Sequence, residues 1–225
     1  MNIDTYHIDT TRISKSGLDL INLSPALYKH VVLDGNKRQP TKDMEMGSHL
    51  HELIFEPRKY YARMFRPFHD TIVGMRDSIM SHPIAAKLLA AGVSEVVNLW
   101  TDEVTGIDCK MRTDWLPTYH NVIVDLKKCA DASPRGFRSS CRKFRYDAQS
   151  AFYLDGAAAT NPKDAFIFIA VEDKFPFRCE VYSAPDEMII EGRAKYRDDL
   201  ELLAKCRATG VYPSYKSRLI TPIEW

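Results

Sequence analysis

VIVDLKKC, residues 122–129, decides the fold. Val122, Ile123 and Val124 are β-branched and apolar, the composition of a strand covered on both faces. Asp125 and Lys127 follow two residues apart, and residues i and i+2 of a strand point to the same face. A carboxylate and an ammonium therefore leave the end of a core strand side by side. Working outward, SEVVNLWT (94–101) and IDCKMRTDWL (107–116) read as two more strands, separated by the turn signal DEVTG. Downstream, DAFIFIAVED (164–173) is a strongly apolar strand and PFRCEVYS (176–183) its neighbour.

The strands are set among helical segments. Residues 14–30 read as helix with a break at Ser24-Pro25, where serine caps and proline takes the first helical position. The polar segment 35–43 reads as a mobile loop, and MEMGSHLHELIFE (44–56) has a helical period that stops before Pro57. Residues 68–91 predict one or two helices ending at Gly92, residues 135–159 one long helix opened by Ser133-Pro134, and residues 185–210 a helix closed by Gly210. The order predicts an α/β fold, a central mixed sheet flanked by helices. We expect one domain over 1–225, with a helical N-terminal section at 1–92 and the core at 93–210.

Composition bounds the partners. Lys+Arg number 31 against 30 Asp+Glu, so no global field draws a polyanion and any basic patch must be local. The 5 cysteines are odd in number and form no CxxC pair, which fits reduced thiols better than a disulfide framework or a zinc site. The start, MNIDTYHIDTTRIS, lacks a basic region followed by an apolar run, and no apolar stretch is long enough to span a bilayer. A soluble cytoplasmic protein with no membrane partner is the expectation.

Asp114 ends the strand before VIVDLKKC, and the short connection WLPTYH can bring it to the same sheet end as Asp125. Two converging carboxylates without zinc-type ligands suit a hard cation, Mg²⁺ or Mn²⁺. A lysine beside them can orient water and stabilise charge developing on a phosphate. The same spacing equally describes exposed strand ends in a surface salt bridge, worth ~0–1 kcal/mol. On the expected long helix, Arg138, Arg142, Arg145, Gln149 and Tyr153 recur every three or four residues and share a stripe. Residues 133–146 hold 5 basic residues and no acidic one, either a solvated face or a track for phosphates.

Five segments taken together resemble a known family. They are ISKSGLDLINLSPALY near the start, MGSHLHELIFEP (46–57), SEVVNLWTDEVTGIDCKMRTDWL (94–116), VIVDLKK (122–128) and YDAQSAFYLDG (146–156). In this order they resemble the PD-(D/E)xK nuclease superfamily, and within it the RecE-type exonucleases, relatives of phage lambda exonuclease. The departure is Thr113, where the superfamily name has proline; that proline is no ligand. The resemblance implies a restriction-endonuclease-like core and a 5′→3′ exonuclease on double-stranded DNA ends. It implies two Mg²⁺ or Mn²⁺ ions sharing Asp125, with Asp114, His51, Glu95 and the Leu126 carbonyl completing the shells and Lys127 facing the attacking water. His51 matches the family histidine of GxxxHxxxxEP, since Gly47, Glu56 and Pro57 stand at the other places. Gln149 and Tyr153 match the family's helix motif. The resemblance further implies 3′ overhangs for recombination by annealing, a single-strand annealing protein as partner, and a homo-oligomeric ring, trimeric or tetrameric. A restriction-like or structure-specific endonuclease and a nonenzymatic DNA-binding module are the rival readings.

Arg12, Ser14, Lys15 and Ser16 precede the helix that begins GLDLI. Helix N-termini present unpaired N–H groups that bind phosphate, and serine and arginine add donors. One of these serines can equally be a helix cap. Related enzymes recognise a 5′-phosphate with serine and arginine in this region, so the resemblance implies that Arg12 and Ser16, with Ser14, grip the 5′-phosphate of the degraded strand.

Overall fold

The computed structural model describes residues 3–36, 39–62 and 67–214. Part of the expected loop at 35–43, residues 37 and 38, lies outside the described residues.

Five strands form one sheet in chain order: β1 (Gly92–Thr101), β2 (Asp108–Pro117), β3 (Val122–Cys129), β4 (Ala165–Glu172) and β5 (Cys179–Ser183). β3 and β4 run parallel; the other neighbours are antiparallel. The sheet is therefore mixed, as expected. A parallel pair needs a long crossover, and α8 (Pro134–Lys143) and α9 (Tyr146–Ala158) supply it.

Before the sheet come α1 (Ile3–Ile8), α2 (Lys15–Leu23) and α3 (Pro25–Tyr28), the last running into a π-helical turn at Lys29–Leu33. Then follow α4 (Lys42–Phe55), α5 (Pro57–Tyr61), α6 (His69–Ser81) and α7 (Pro83–Leu89), and α10 (Asp186–Thr209) comes after β5. Ser14, Ser24, Thr41 and Ser133 cap their helices by accepting a backbone N–H, and Pro25, Pro57, Pro83 and Pro134 open helices, where a missing N–H costs nothing.

Strand alternation divides the core. Val124 and Leu126 of β3, with Ile169 and Val171 of β4, pack beneath Leu50, Leu53, Ile72, Met75, Ile79 and Leu88. Ile123 of β3 and Phe166, Phe168 and Ala170 of β4 face the other way, against Phe137 and Ala157. By the same alternation Asp125 and Lys127 lie on the Ile123 side, toward α9.

The long helix expected over 135–159 is two helices. They break at Phe144-Arg145, where Arg145 adopts the left-handed conformation at φ 54°. The break is held from outside: the Arg145 guanidinium meets Asp199 at 2.5 Å and Asp19 at 3.3 Å. α10 lies close against α9, because Gly192 has no Cβ to overlap the Asp147 carbonyl, and Arg193 forks onto both oxygens of Asp155 at 2.8 and 2.7 Å. All 5 cysteines are free thiols. No helix among the described residues is long and apolar enough to cross a membrane.

Candidate active site

The site starts where a sheet ladder fails. The β1–β2 ladder runs from Gly92↔Pro117 to Thr101↔Asp108 and skips the row of Glu95 and Asp114. Between β2 and β3 the one registered pair is Trp115↔Val124, which sets Asp114 against Asp125 in the next row. Three carboxylates thus fall in one row across three neighbouring strands. Glu95 holds a left-handed conformation, φ 59°, rare for a side chain of its kind in a strand. Such strain persists where the surroundings impose it, and it gathers at functional sites.

Side chains fill the gap between β2 and β3. The Leu126 N–H and C=O point toward β2, which no longer pairs with them. Asp114 Oδ2 accepts the N–H at 2.9 Å, and His51 Nε2 meets the carbonyl oxygen at 2.9 Å. His51 Nδ1 lies 3.5 Å from Asp114 Oδ2, so the imidazole, the carboxylate and the Leu126 backbone form one closed unit. His51 reaches it from α4, whose Leu50 and Leu53 are sunk in the core and fix the helix face. His49 turns elsewhere, toward Glu52 at 3.8 Å.

On the α9 side, Asp125 is nearly inaccessible, 2% exposed. Gln149 Nε2 donates to its Oδ1 at 2.5 Å, and the Lys127 ammonium stands 2.6 Å from its Oδ2. Burial pushes the Asp125 carboxyl up from its usual range, against the pull of Lys127. Burial alone would lower Lys127, but Asp125 and Asp114 overcome it and hold the ammonium above its usual range. The Tyr146 ring lies under that ammonium, 4.6 Å to its centroid. Glu95 pairs with Arg112 at 2.8 Å, and burial raises its carboxyl despite that partner.

Beside this row opens a cleft of two contiguous cavities. One, of ≈ 910 Å³, is lined by Arg12, Ser14, Ser16, Lys110, Arg112 and Asp114 among others. The other, of ≈ 670 Å³, holds Lys15, Lys127, Lys143, Phe144, Gln149 and Tyr146. Tyr6, Ser14, Ser16 and Tyr153 line both. The N-terminal residues thus share a cleft with the carboxylate row. Their donors are partly engaged: Arg12 pairs with Asp9 at 3.0 Å, Ser14 caps α2, and its Oγ lies 3.0 Å from that of Ser16.

The stripe expected on one helix is not one surface. Arg138 and Arg142 are exposed on α8 and line a separate cavity with Phe137, Tyr182 and Met188. Arg145 is turned inward to Asp19 and Asp199 and holds α2 and α10 to the helix break. Gln149 and Tyr153 of α9 do face the cleft. Lys110 and Arg112 went unmarked in the sequence. Lys110 is buried and donates to the Tyr6 and Asp9 carbonyls at 2.6 and 2.5 Å, tying the N-terminal segment to β2. Their Lys-x-Arg alternation in a strand is the signal that could have found them.

A family model, the PDDEXK-like domain of unknown function (DUF3799), matches residues 14–219. The chain belongs to this PDDEXK-like family. Within the matched span, Asp114 and the triplet Asp125-Leu126-Lys127 stand on the adjacent strands β2 and β3. Among solved structures, a protein from Eubacterium rectale described as an exonuclease candidate shares the fold at a TM-score of 0.77 and 16% identity. The match covers 100% of this chain and 96% of that one. A phage-related exonuclease from Haemophilus somnus (TM-score 0.45, 12% identity, 89% and 96% covered) and an alkaline exonuclease from Laribacter hongkongensis (0.41, 14%, 93% and 96%) are more distant. No curated protein sequence matches.

The donors gathered here suit a hard cation: carboxylates of Asp114 and Asp125, the Leu126 carbonyl and one imidazole. Glu95 Oε2 and Asp125 Oδ2 are buried, each against one cation, Arg112 at 2.8 Å and Lys127 at 2.6 Å. Among the described residues no three His, Cys, Asp or Glu side chains are already drawn into a metal-sized cage.

Proposed function

We propose that the protein is a divalent-metal-dependent exodeoxyribonuclease, hydrolysing phosphodiesters from the 5′ ends of duplex DNA and leaving 3′ overhangs. The observation that carries it is the row Glu95, Asp114 and Asp125, with His51 locked to Leu126 O and Lys127 beside Asp125. Asp114, Asp125, the Leu126 carbonyl and His51, with Glu95 beside them, would hold Mg²⁺ or Mn²⁺, two ions per site. Such ions would supply Lewis acidity to the scissile phosphate and activate the attacking water.

The chain's own residues do the rest. Gln149 fixes the Asp125 carboxylate by holding Oδ1, while the Lys127 ammonium stands against Oδ2. Lys127, charged and clamped between Asp125 and the Tyr146 ring, is placed to stabilise negative charge on the phosphate and to hold the water in line. Arg12, Ser14 and Ser16 border the same cavity as Asp114, so a terminal 5′-phosphate bound there would lie along the cleft from the reacting bond. A ring of three or four subunits, and a single-strand annealing partner in phage-type recombination, belong to the same proposal.

The test uses linear duplex labelled at either 5′ or 3′ ends, beside a covalently closed circle. With Mg²⁺ the 5′ label should be released first as mononucleotide, the circle should survive, and chelator should abolish release. Cutting of the circle would reassign the protein as an endonuclease; binding without cutting would make it a DNA-binding module.

A further inference from the structure

Phe144 is an exposed aromatic at the mouth of the cleft, 47% accessible, in a position that a continuous helix would not have produced. It ends α8, and the left-handed Arg145 after it redirects the chain into α9. The turn is pinned on three sides. Arg145 is gripped by Asp19 and Asp199, and the Lys15 ammonium donates to the Phe144 carbonyl at 2.7 Å. The ring itself is supported from beneath. It stacks on Tyr146 (centroids 5.8 Å apart, planes at 28°), and Tyr146 stacks on the core residue Phe168 with the same separation and tilt. Tyr146 is also the ring under Lys127. One column of aromatic rings thus runs from the core, past the Lys127 ammonium, to an accessible ring at the entrance. The exposed Lys143 stands 5.1 Å over that outer ring.

Phe144 presents an aromatic ring to solvent at the cleft mouth, a surface on which a base can stack. A supported ring with the exposed Lys143 beside it, in a cleft also lined by Lys127, fits one class of ligand well: an unpaired nucleobase with its flanking phosphates. The reading rests on the proposed nuclease function. We propose that Phe144 is the stacking platform for a base of the strand entering the cleft, positioning that strand so its backbone reaches Lys127 and Asp125. Phe144 is a positioning residue and touches no reacting atom.

The experiment measures binding of a short single-stranded oligonucleotide by fluorescence anisotropy, in chelator so that no cutting occurs. An otherwise identical oligonucleotide with abasic sites serves as probe for phosphate contacts alone. Phe144→Ala should weaken binding of the base-bearing strand by about 5- to 150-fold, the range that one base–aromatic stack supplies. It should leave the abasic strand unchanged. Phe144→Trp should restore binding; Phe144→Leu, which keeps apolar packing on Tyr146 without a π face, should not. Equal affinity of Phe144→Ala and wild type for the base-bearing strand would overturn the proposal, as would equal loss on both strands. If wild type cuts DNA normally while Phe144→Ala binds normally, the platform fails and the nuclease reading stands. If wild type neither binds nor cuts, both fall.

Discussion

Removing Arg145 separates a structural arginine from a DNA-binding one. Asp199 is fully buried, 0% exposed, and Arg145 Nη2 lies 2.5 Å from its Oδ2. Breaking a buried ion pair by deleting one partner costs about 3–5 kcal/mol, because a charge is left buried alone. Here the loss should sit at the lower end, about 3 kcal/mol: Asn22 still donates to Asp199 Oδ1 at 2.9 Å, and Lys15 still pairs with Asp19 at 2.7 Å. Alanine at position 145 keeps the left-handed backbone requirement that arginine already bears, so the change reports the ion pairs rather than new strain. For a chain of this size about 3 kcal/mol corresponds to a fall in Tm of roughly 6–12 °C. Urea unfolding of Arg145→Ala should show a lower midpoint with an unchanged slope. DNA affinity plotted against salt should keep its wild-type slope. A stability loss below about 1 kcal/mol, together with a salt slope reduced by about 1, would refute the assignment and return Arg145 to the phosphate track.

Other perturbations have defined outcomes. Lys127→Ala should slow single-turnover cleavage while calorimetric Mn²⁺ binding is nearly retained; equal loss of both would make Lys127 part of the metal shell or the fold. Gly192→Ala drives a methyl into the Asp147 carbonyl and should destabilise the α9–α10 contact by about 1–3 kcal/mol in chemical denaturation, with a neutral result showing that the helices can part freely. At fixed salt, wild type should cut a 5′-phosphorylated duplex faster than a 5′-hydroxyl one, and Arg12→Ala or Ser16→Ala should shrink that ratio. Equal slowing of both substrates would leave these residues as general contacts or caps.

How much of this was legible in the chain differs residue by residue. β3 was, because Val122–Val124 must be covered on both faces and strand alternation then places Asp125 with Lys127. The opposition of Asp114 to Asp125 followed from a short connection between two strands, and the Trp115↔Val124 register shows it. The break at Phe144-Arg145 was not legible. It contains no glycine or proline, and the pairs that hold Arg145 lie 126 and 54 residues away in sequence, at Asp19 and Asp199. A period of three to four therefore ran unbroken through a bend that only tertiary contacts impose. Lys110 was hidden for a related reason: its partners, the Tyr6 and Asp9 carbonyls, come from a distant segment brought alongside β2, whereas the partner of Arg112, Glu95, lies on the neighbouring β1. His51 was singled out only through resemblance, since a lone helical histidine carries no local mark; its place against Leu126 depends on how far β2 and β3 part.

The most direct test of the carboxylate row is the rate of nucleotide release from linear duplex DNA by Asp125→Asn, measured with Mg²⁺ beside its DNA affinity. The substitution keeps the side chain's size and its place beside Gln149 but removes the charge that a bound cation would need. Cleavage should fall by orders of magnitude with binding retained; near wild-type cleavage would contradict the assignment of the site.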